Sequence, residues 1–235
     1  MMLAHGGRVF VQLQRLDDSL PFITVGPGAL AVVDMHSRQL IDTDQINPGT
    51  QPIALSGPAP HLRMHITHAN THLLVGATGP RLDSNQINGG IERISLATLE
   101  SEGFIENELV GNIGAFVPTP SGIGALSFHT SIIEASHVTR FDELPGNMPT
   151  DLIFEELFVT VETMAFDPQT STVLMPGADG SMNEFDPLTG TRVRTALFET
   201  STGGFVRDMA LASSRRPLRG LTNTRNASSM SAEPR

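Results

Sequence analysis

The sequence predicts an all-β chain, a β-propeller of consecutive four-stranded antiparallel blades, about four to five of them in an incomplete or open arrangement. Three observations carry this. A phrase of apolar run, turn residue, turn and strand recurs with aligned positions Asp34, Ser95, Asp142 and Asp186, at steps of 61, 47 and 44 residues. Repeats of roughly 40–50 residues made only of strands mark one sheet per repeat. The apolar runs between them are strand-length and bounded by turn formers, with 22 Gly and 16 Pro in 235 residues. At roughly 45 residues per blade, the stretch 8–212 accommodates four to five repeats.

The elements follow in order. Val9, Val11 and Leu13 alternate with Phe10, Gln12 and Gln14, the period of a strand with one face more buried. A loop rich in Asp, Pro and Gly covers 16–28. The best copy of the phrase spans 29–57: Val32-Val33-Asp34, the turn His36-Ser37-Arg38, a strand-like run Leu40-Ile41-Asp42-Thr43, a loop marked by Gly49 and Pro52, then Ile53-Ala54-Leu55. Leu73-Leu74-Val75-Gly76-Ala77 is an apolar strand, and 80–90 is a polar insertion that lengthens the first step. Ile113–Phe116 and Ile123–Phe128 form a hairpin around Pro118-Thr119-Pro120-Ser121-Gly122; Thr163–Phe166 and Ser171–Met175 form another around Asp167-Pro168-Gln169-Thr170. Asp151–Thr163 fits either a helix capped by Asp151 or a strand, given its Phe and Val. Phe205–Ala212 opens like an earlier repeat. The propeller region is thus expected over 1–212, and the Arg/Ser-rich stretch 213–235, poor in large apolar residues, is expected to be disordered.

Composition removes several function classes. The net charge of −10 disfavours a nucleic-acid partner, which needs clustered Lys and Arg. There is no Cys, so thiolate catalysis, disulfides and Cys-ligated metals are excluded. There is no Lys, which removes Schiff-base and P-loop chemistry. No Gly-x-Ser-x-Gly elbow is present. With no Trp or Tyr, stacking platforms are limited to 12 Phe. No window reaches the roughly 18 apolar residues of a membrane span, and no signal peptide is visible at the start.

Ala31-Val32-Val33-Asp34 through Ile46-Asn47-Pro48-Gly49-Thr50-Gln51-Pro52-Ile53-Ala54-Leu55 resembles the YVTN-type repeat of YncE-like β-propellers. Leu73-Leu74-Val75-Gly76-Ala77-Thr78-Gly79 stands where the family's Tyr-Val-Thr-Asn strand would fall, with Leu for Tyr and Gly for Asn. Gly177-Ala178-Asp179-Gly180 followed by Phe185-Asp186-Pro187-Leu188-Thr189-Gly190 is similar to later repeats of the family. The resemblance covers about residues 8–212, best at 29–57 and 171–195. It implies a propeller, usually of seven blades and often periplasmic or secreted, so this chain looks like a partial copy.

Candidate site residues are few. His61, His65, His68 and His72 fall within 12 residues. On a helix they would share a face and two or three could ligate zinc or nickel. The repeat register instead places a strand at 62–67 and a turn at 68–71, so His61 and His65 share a strand face while His68 and His72 flank the turn. The expectation is a hairpin that binds no stoichiometric metal, and no cofactor. The insertion around Asp83, Asn85 and Asn88, with Glu92 after it, has oxygen ligands but lacks calcium-loop spacing; these four are candidates for ligand contact. Asp34, Asp142 and Asp186, recurring once per repeat, are expected to cap turns.

Two functions remain. One is a non-catalytic binding or scaffold module, of a kind found at a cell surface or envelope, holding a protein or small-molecule ligand on a propeller face, with open blade edges that allow self-association. The other is a lactonase-type propeller hydrolase acting on a small lactone or ester. That chemistry needs a polar cluster from several blades, for which His61, His65, Asp83, Asn85 and Glu92 are the dense candidates.

Overall fold

Sixteen strands pair into four antiparallel four-stranded meanders in a computed structural model that describes residues 1–15, 26–58, 60, 62–77, 90–105, 112–129, 136–143, 152–156, 161, 163–176 and 182–194. The first sheet is β1 (Met2–His5), β2 (Arg8–Leu13), β3 (Pro27–Asp34) and β4 (Ile53–Pro58). The second is β5 (His65–Ile66), β6 (His72–Ala77), β7 (Gly90–Ser95) and β8 (Ser101–Ile105). The third is β9 (Asn112–Val117), β10 (Ile123–His129), β11 (Ser136–Asp142) and β12 (Leu152–Glu156). The fourth is β13 (Ala165–Asp167), β14 (Thr172–Pro176), β15 (Met182–Phe185) and β16 (Arg192–Arg194). Each sheet keeps its strands in chain order, and among the described residues there is no helix.

The recurring residue marks one structural event. Asp34, Ser95 and Asp142 end the third strand of their sheets and Asp186 directly follows it. In three copies the next turn closes by an N–H donated back over four residues: Arg38 to Asp34, Leu99 to Ser95 and Gly190 to Asp186. The donor residue is left-handed each time, with φ of 59°, 62° and 70°. Asp34 Oδ1 accepts from the Ser37 N–H at 2.7 Å and the His36 N–H at 2.9 Å. Asp186 Oδ1 accepts from the Leu188 N–H at 2.8 Å. The backbone N–H of Ser37 above all holds the Asp34 carboxyl below the usual carboxylate range, and that of Leu188 does so for Asp186. Both acids cap turns, as their recurrence predicts.

Sheets pack face to face through alternate residues. Phe10, Leu30 and Val32 of the first sheet meet Leu73, Val75 and Ile94 of the second. Leu74 and Ile91 meet Ile113, Phe116 and Phe141 of the third. Val117, Ala125 and Val138 meet Val173, Met175 and Phe185 of the fourth. Close approach is bought by missing side chains: a Cβ on Gly124 would lie 2.3 Å from the Phe141 ring and 2.8 Å from the Val117 carbonyl oxygen. No core joins the fourth sheet to the first among the described residues, so the four blades form an open arc.

Two local expectations need correction. The run 40–43 is not a strand. Leu40 makes only an isolated bridge to Val33, because Asp42 Oδ1 captures the N–H groups of Gln51 (2.9 Å) and Asp44 (3.2 Å) and folds the segment into a loop. The strand expected at 62–67 is reduced to His65–Ile66, because Leu62 and Met64 turn into different cores. Of the two readings of Asp151–Thr163, the described residues take the strand, Leu152–Glu156. The structure adds β1, joined to β2 by Gly6 and Gly7 at φ of 56° and 77°. The 16–25 part of the early loop, most of the insertion at 80–90, the repeat opening at 205–212 and the tail 213–235 lie outside the described residues. Among the described residues no helix is long and apolar enough to cross a membrane.

Candidate functional site

The sequence-predicted candidates separate. His61, Asp83, Asn85 and Asn88 lie outside the described residues. His68 is exposed in the turn between β5 and β6. His65 packs edge-on against Phe116 of the third sheet, ring centroids 4.9 Å apart and planes at 66°. Burial, then the Arg63 charge, pushes its pKa down to about 4. Glu92 is buried between the first and second sheets. It accepts from the Ser56 N–H at 2.9 Å, from the Ser56 hydroxyl at 3.2 Å and from the Ser101 hydroxyl. That is a bolt between blades, with every donor from the protein. His65 and Glu92 therefore sit in different seams, on opposite faces of the second sheet. Among the described residues, no three His, Cys, Asp or Glu groups converge to hold a metal ion.

A cleft of about 360 Å3 opens instead between the second and third sheets, within the size range of small-ligand sites. One wall is the β5–β6 turn with Thr67, Thr71 and His72, and Arg93 of β7. The other is the β9–β10 turn with Ser121 and Gly122, and Asp142 and Glu143 at the end of β11. Both turns are pinned locally. The Thr67 N–H donates to the His72 carbonyl at 3.0 Å and the Asn70 N–H to the Thr67 carbonyl at 2.9 Å. Opposite them, buried Thr119 donates its hydroxyl to the Ile123 carbonyl at 2.5 Å. The Glu143 N–H donates to the Gly122 carbonyl at 3.0 Å, which fixes the acid beside that turn.

The polar groups form a graded set. Arg93 donates to Glu102 Oε2 at 3.1 Å and to His72 Nδ1 at 3.1 Å. That donation assigns the proton of His72 to Nε2, which gives it to Glu102 Oε2 at 2.8 Å. Arg93 is mostly buried, whereas Glu102 is exposed. Arg93 Nε and Glu143 Oε1 are both buried and make no hydrogen bond. Burial raises the Glu143 pKa; the Arg93 charge opposes the rise and Asp142 adds to it. A donor and an acceptor thus stand uncommitted beside the same cleft.

The cleft exists because one seam breaks the repeat. Arg93 and Arg140 both stand two residues before their turn residue, Ser95 and Asp142. Arg140 reaches across to the Leu188 carbonyl of the fourth sheet. Arg93 instead folds back onto His72 and Glu102 of its own sheet, leaving the space toward Glu143 unfilled. Neither Arg93, Glu102 nor Glu143 was singled out by motif. The available signal was the shared Arg in Arg93-Ile94-Ser95 and Arg140-Phe141-Asp142.

No family model matches the chain, and no curated protein matches it. Its structure is similar to the computationally designed Ika8 protein, with a TM-score of 0.53 and 14% identity over 90% of this chain and 52% of that one. It is also similar to Kuenenia stuttgartiensis hydrazine synthase, with a TM-score of 0.50 and 12% identity over 83% of this chain and 47% of that one. The chain spans about half the length of these solved chains. At such identities the likeness is one of fold alone.

Proposed function

We propose that this chain is a YVTN-type propeller repeat protein acting as a non-catalytic binding module, with the cleft between its second and third blades as the ligand site. The observation that carries this is the pair of buried, uncommitted groups beside one cleft: the Arg93 Nε–H donor and the Glu143 Oε1 acceptor. A buried polar atom without a partner costs about 1–3 kcal/mol, so a ligand that satisfies it recovers that cost. A carboxamide matches both once the two side chains turn toward the cleft, its carbonyl accepting from Arg93 and its NH2 donating to Glu143. The ligand class is therefore an amide-bearing segment, such as an Asn or Gln side chain of a protein partner or a small primary amide. The test is NMR titration of the chain with N-acetyl-glutamine methylamide. Shifts confined to Arg93 Hε and the 67–72 and 119–123 turns, and abolished by Glu143→Ala, support the assignment. Shifts scattered over the surface, or unchanged in the variant, refute it.

A further inference from the structure

We propose that Thr71 is an acyl-acceptor site: its hydroxyl takes one acyl group from a neutral activated ester that enters the cleft between the second and third sheets, and keeps it. The observation behind this is a hydroxyl–imidazole–carboxylate array on the cleft wall. Thr71 Oγ1 lies 2.8 Å from His72 Nδ1, and His72 Nε2 lies 2.8 Å from Glu102 Oε2. Arg93 has only donors, and its Nη2 gives a hydrogen to the same Nδ1 at 3.1 Å. Nδ1 therefore carries no proton, and the Thr71 O–H donates to it. A hydroxyl that donates to one imidazole nitrogen, while a carboxylate holds the other, is the arrangement that turns an alcohol into a nucleophile.

The local fold holds this array together. Consecutive side chains of a strand point to opposite faces. Thr71 escapes that rule because it still belongs to the β5–β6 turn, while His72 begins β6. Both backbones are fixed. The Leu96 N–H donates to the Thr71 carbonyl at 2.9 Å. Buried Thr67 clamps His72 twice: its N–H donates to the His72 carbonyl at 3.0 Å, and its Oγ1 accepts from the His72 N–H at 3.2 Å. Glu102 reaches the ring through a bulge. Gly103 pairs with Arg93 and Ser101 with Ile94, so Glu102 is the extra residue between them. Such a residue has its side chain re-aimed. Thr71 is exposed and lines the cleft, whereas the His72 side chain is only 14% exposed. The reacting oxygen is thus accessible while the base behind it is shielded.

The step balances with groups on the cleft wall. As Thr71 Oγ1 bonds to the ester carbonyl carbon, its proton passes to His72 Nδ1. Glu102 is hydrogen-bonded to both His72 and Arg93, so a carboxylate faces the imidazolium as it forms. The negative charge moves to the former carbonyl oxygen, beside the Arg93 guanidinium, whose five N–H groups exceed its bonds to Glu102 and His72. On collapse the bond between the carbonyl carbon and the alcohol oxygen breaks, and that oxygen takes the proton from Nδ1. The products are a Thr71 ester and a free alcohol. Asp142 and Glu143 on the opposite wall disfavour an anionic acyl donor, which selects a neutral one. The ester then persists. Thr71 no longer supplies a hydrogen, so Nδ1 is left to the Arg93 N–H and is closed to water. A chain consumed as it reacts is a reactant and not a catalyst, so this activity goes beyond ligand binding without making the module an enzyme.

The experiment treats the full chain with p-nitrophenyl acetate at neutral pH and follows p-nitrophenol release and intact mass. The chain has no Lys and no Cys, which removes the commonest competing acceptors. The expected result is one acetyl group on Thr71, located by peptide mass spectrometry, and one equivalent of p-nitrophenol beyond that released by a Thr71→Val chain. Thr71→Val should lose this label and Thr71→Ser should keep it, both with unchanged far-ultraviolet circular dichroism. His72→Gln should slow labelling by about 10²-fold or more. Glu102 is a positioning residue, so Glu102→Gln should slow labelling and also move its pH profile, which a lost structural contact alone would not do. The proposal is overturned if no acetyl group is found on Thr71, if Thr71→Ser does not label, or if His72→Gln labels as fast as wild type. It is equally overturned by an unmoved pH profile in Glu102→Gln, or by excess p-nitrophenol release that continues past one equivalent.

Discussion

Acidification should loosen the seam between the second and third blades through His65. In the folded chain this ring lies against Phe116, and its pKa falls from 6.5 to about 4. The unfolded chain keeps the ordinary value, so between those limits it binds more protons than the folded one. The stabilisation is complete above about pH 6.5 and is lost as pH falls toward about 4. At ~1.4 kcal/mol per pH unit the interval is worth at most about 3.5 kcal/mol. The ring keeps some solvent contact, so about 1–2 kcal/mol is the realistic loss after screening. The assay is urea unfolding followed by far-ultraviolet circular dichroism, since the chain has no Trp or Tyr to report by fluorescence. Wild type and His65→Gln are compared at about pH 7 and about pH 4.5, and only the change in their difference is read, which cancels other titrating groups. Wild type should lose about 1–2 kcal/mol relative to the variant over that range. Parallel curves, or a His65 NMR titration with a midpoint near its unperturbed value, would refute the reasoning.

Other outcomes follow from single positions. Gly124→Ala should destabilise the chain by about 1–3 kcal/mol in the same assay, because its Cβ meets both the Phe141 ring and a fixed carbonyl. Arg38→Gly should stabilise by about 0.5–1 kcal/mol, since the left-handed backbone at φ 59° costs a side chain that Gly190 avoids in the equivalent turn. Glu143→Gln should raise the thermal midpoint at neutral pH: burial raises this pKa, so its folded state loses stability as pH rises through that value, and an uncharged amide removes the loss. The gain should shrink on acidification toward the ordinary Glu pKa; a gain independent of pH would sink that explanation. Glu92→Ala should cost about 1–2 kcal/mol by removing the acceptor shared by the Ser56 N–H and two hydroxyls, which water can then reach.

The fold was legible because strand and turn signals are local. Val9, Val11 and Leu13 announce a strand by alternation, and Asp34 and Asp186 announce turns by the N–H groups they can reach within three residues. The misread segment, Leu40–Thr43, has the apolar start of a strand. What decides it is Asp42 reaching Gln51 nine residues on, a bond that competes with sheet pairing and leaves no periodic trace. β1 was missed although Gly6-Gly7 is a hairpin signal, since its four residues offer too short a period to count.

The site was not legible for a related reason: it arises where equivalent residues behave differently. In each seam the repeat sets apolar residues at the same register, and these make the blades pack. The polar position two residues before the turn is Arg in both the second and third blades, so sequence alone treats Arg93 and Arg140 alike. Their surroundings do not. Arg140 finds a carbonyl of the next blade. Arg93 finds His72, from the neighbouring strand, and Glu102, nine residues on, and those partners draw it away from Glu143. The seam is thereby left with a void and an acid that burial keeps uncommitted. If this account holds, replacing both partners, His72→Ala with Glu102→Ala, frees Arg93 to cross the seam to Glu143. The cleft should then close and the amide titration should lose its effect, while the apolar seam around Phe116 and Phe141 stays intact.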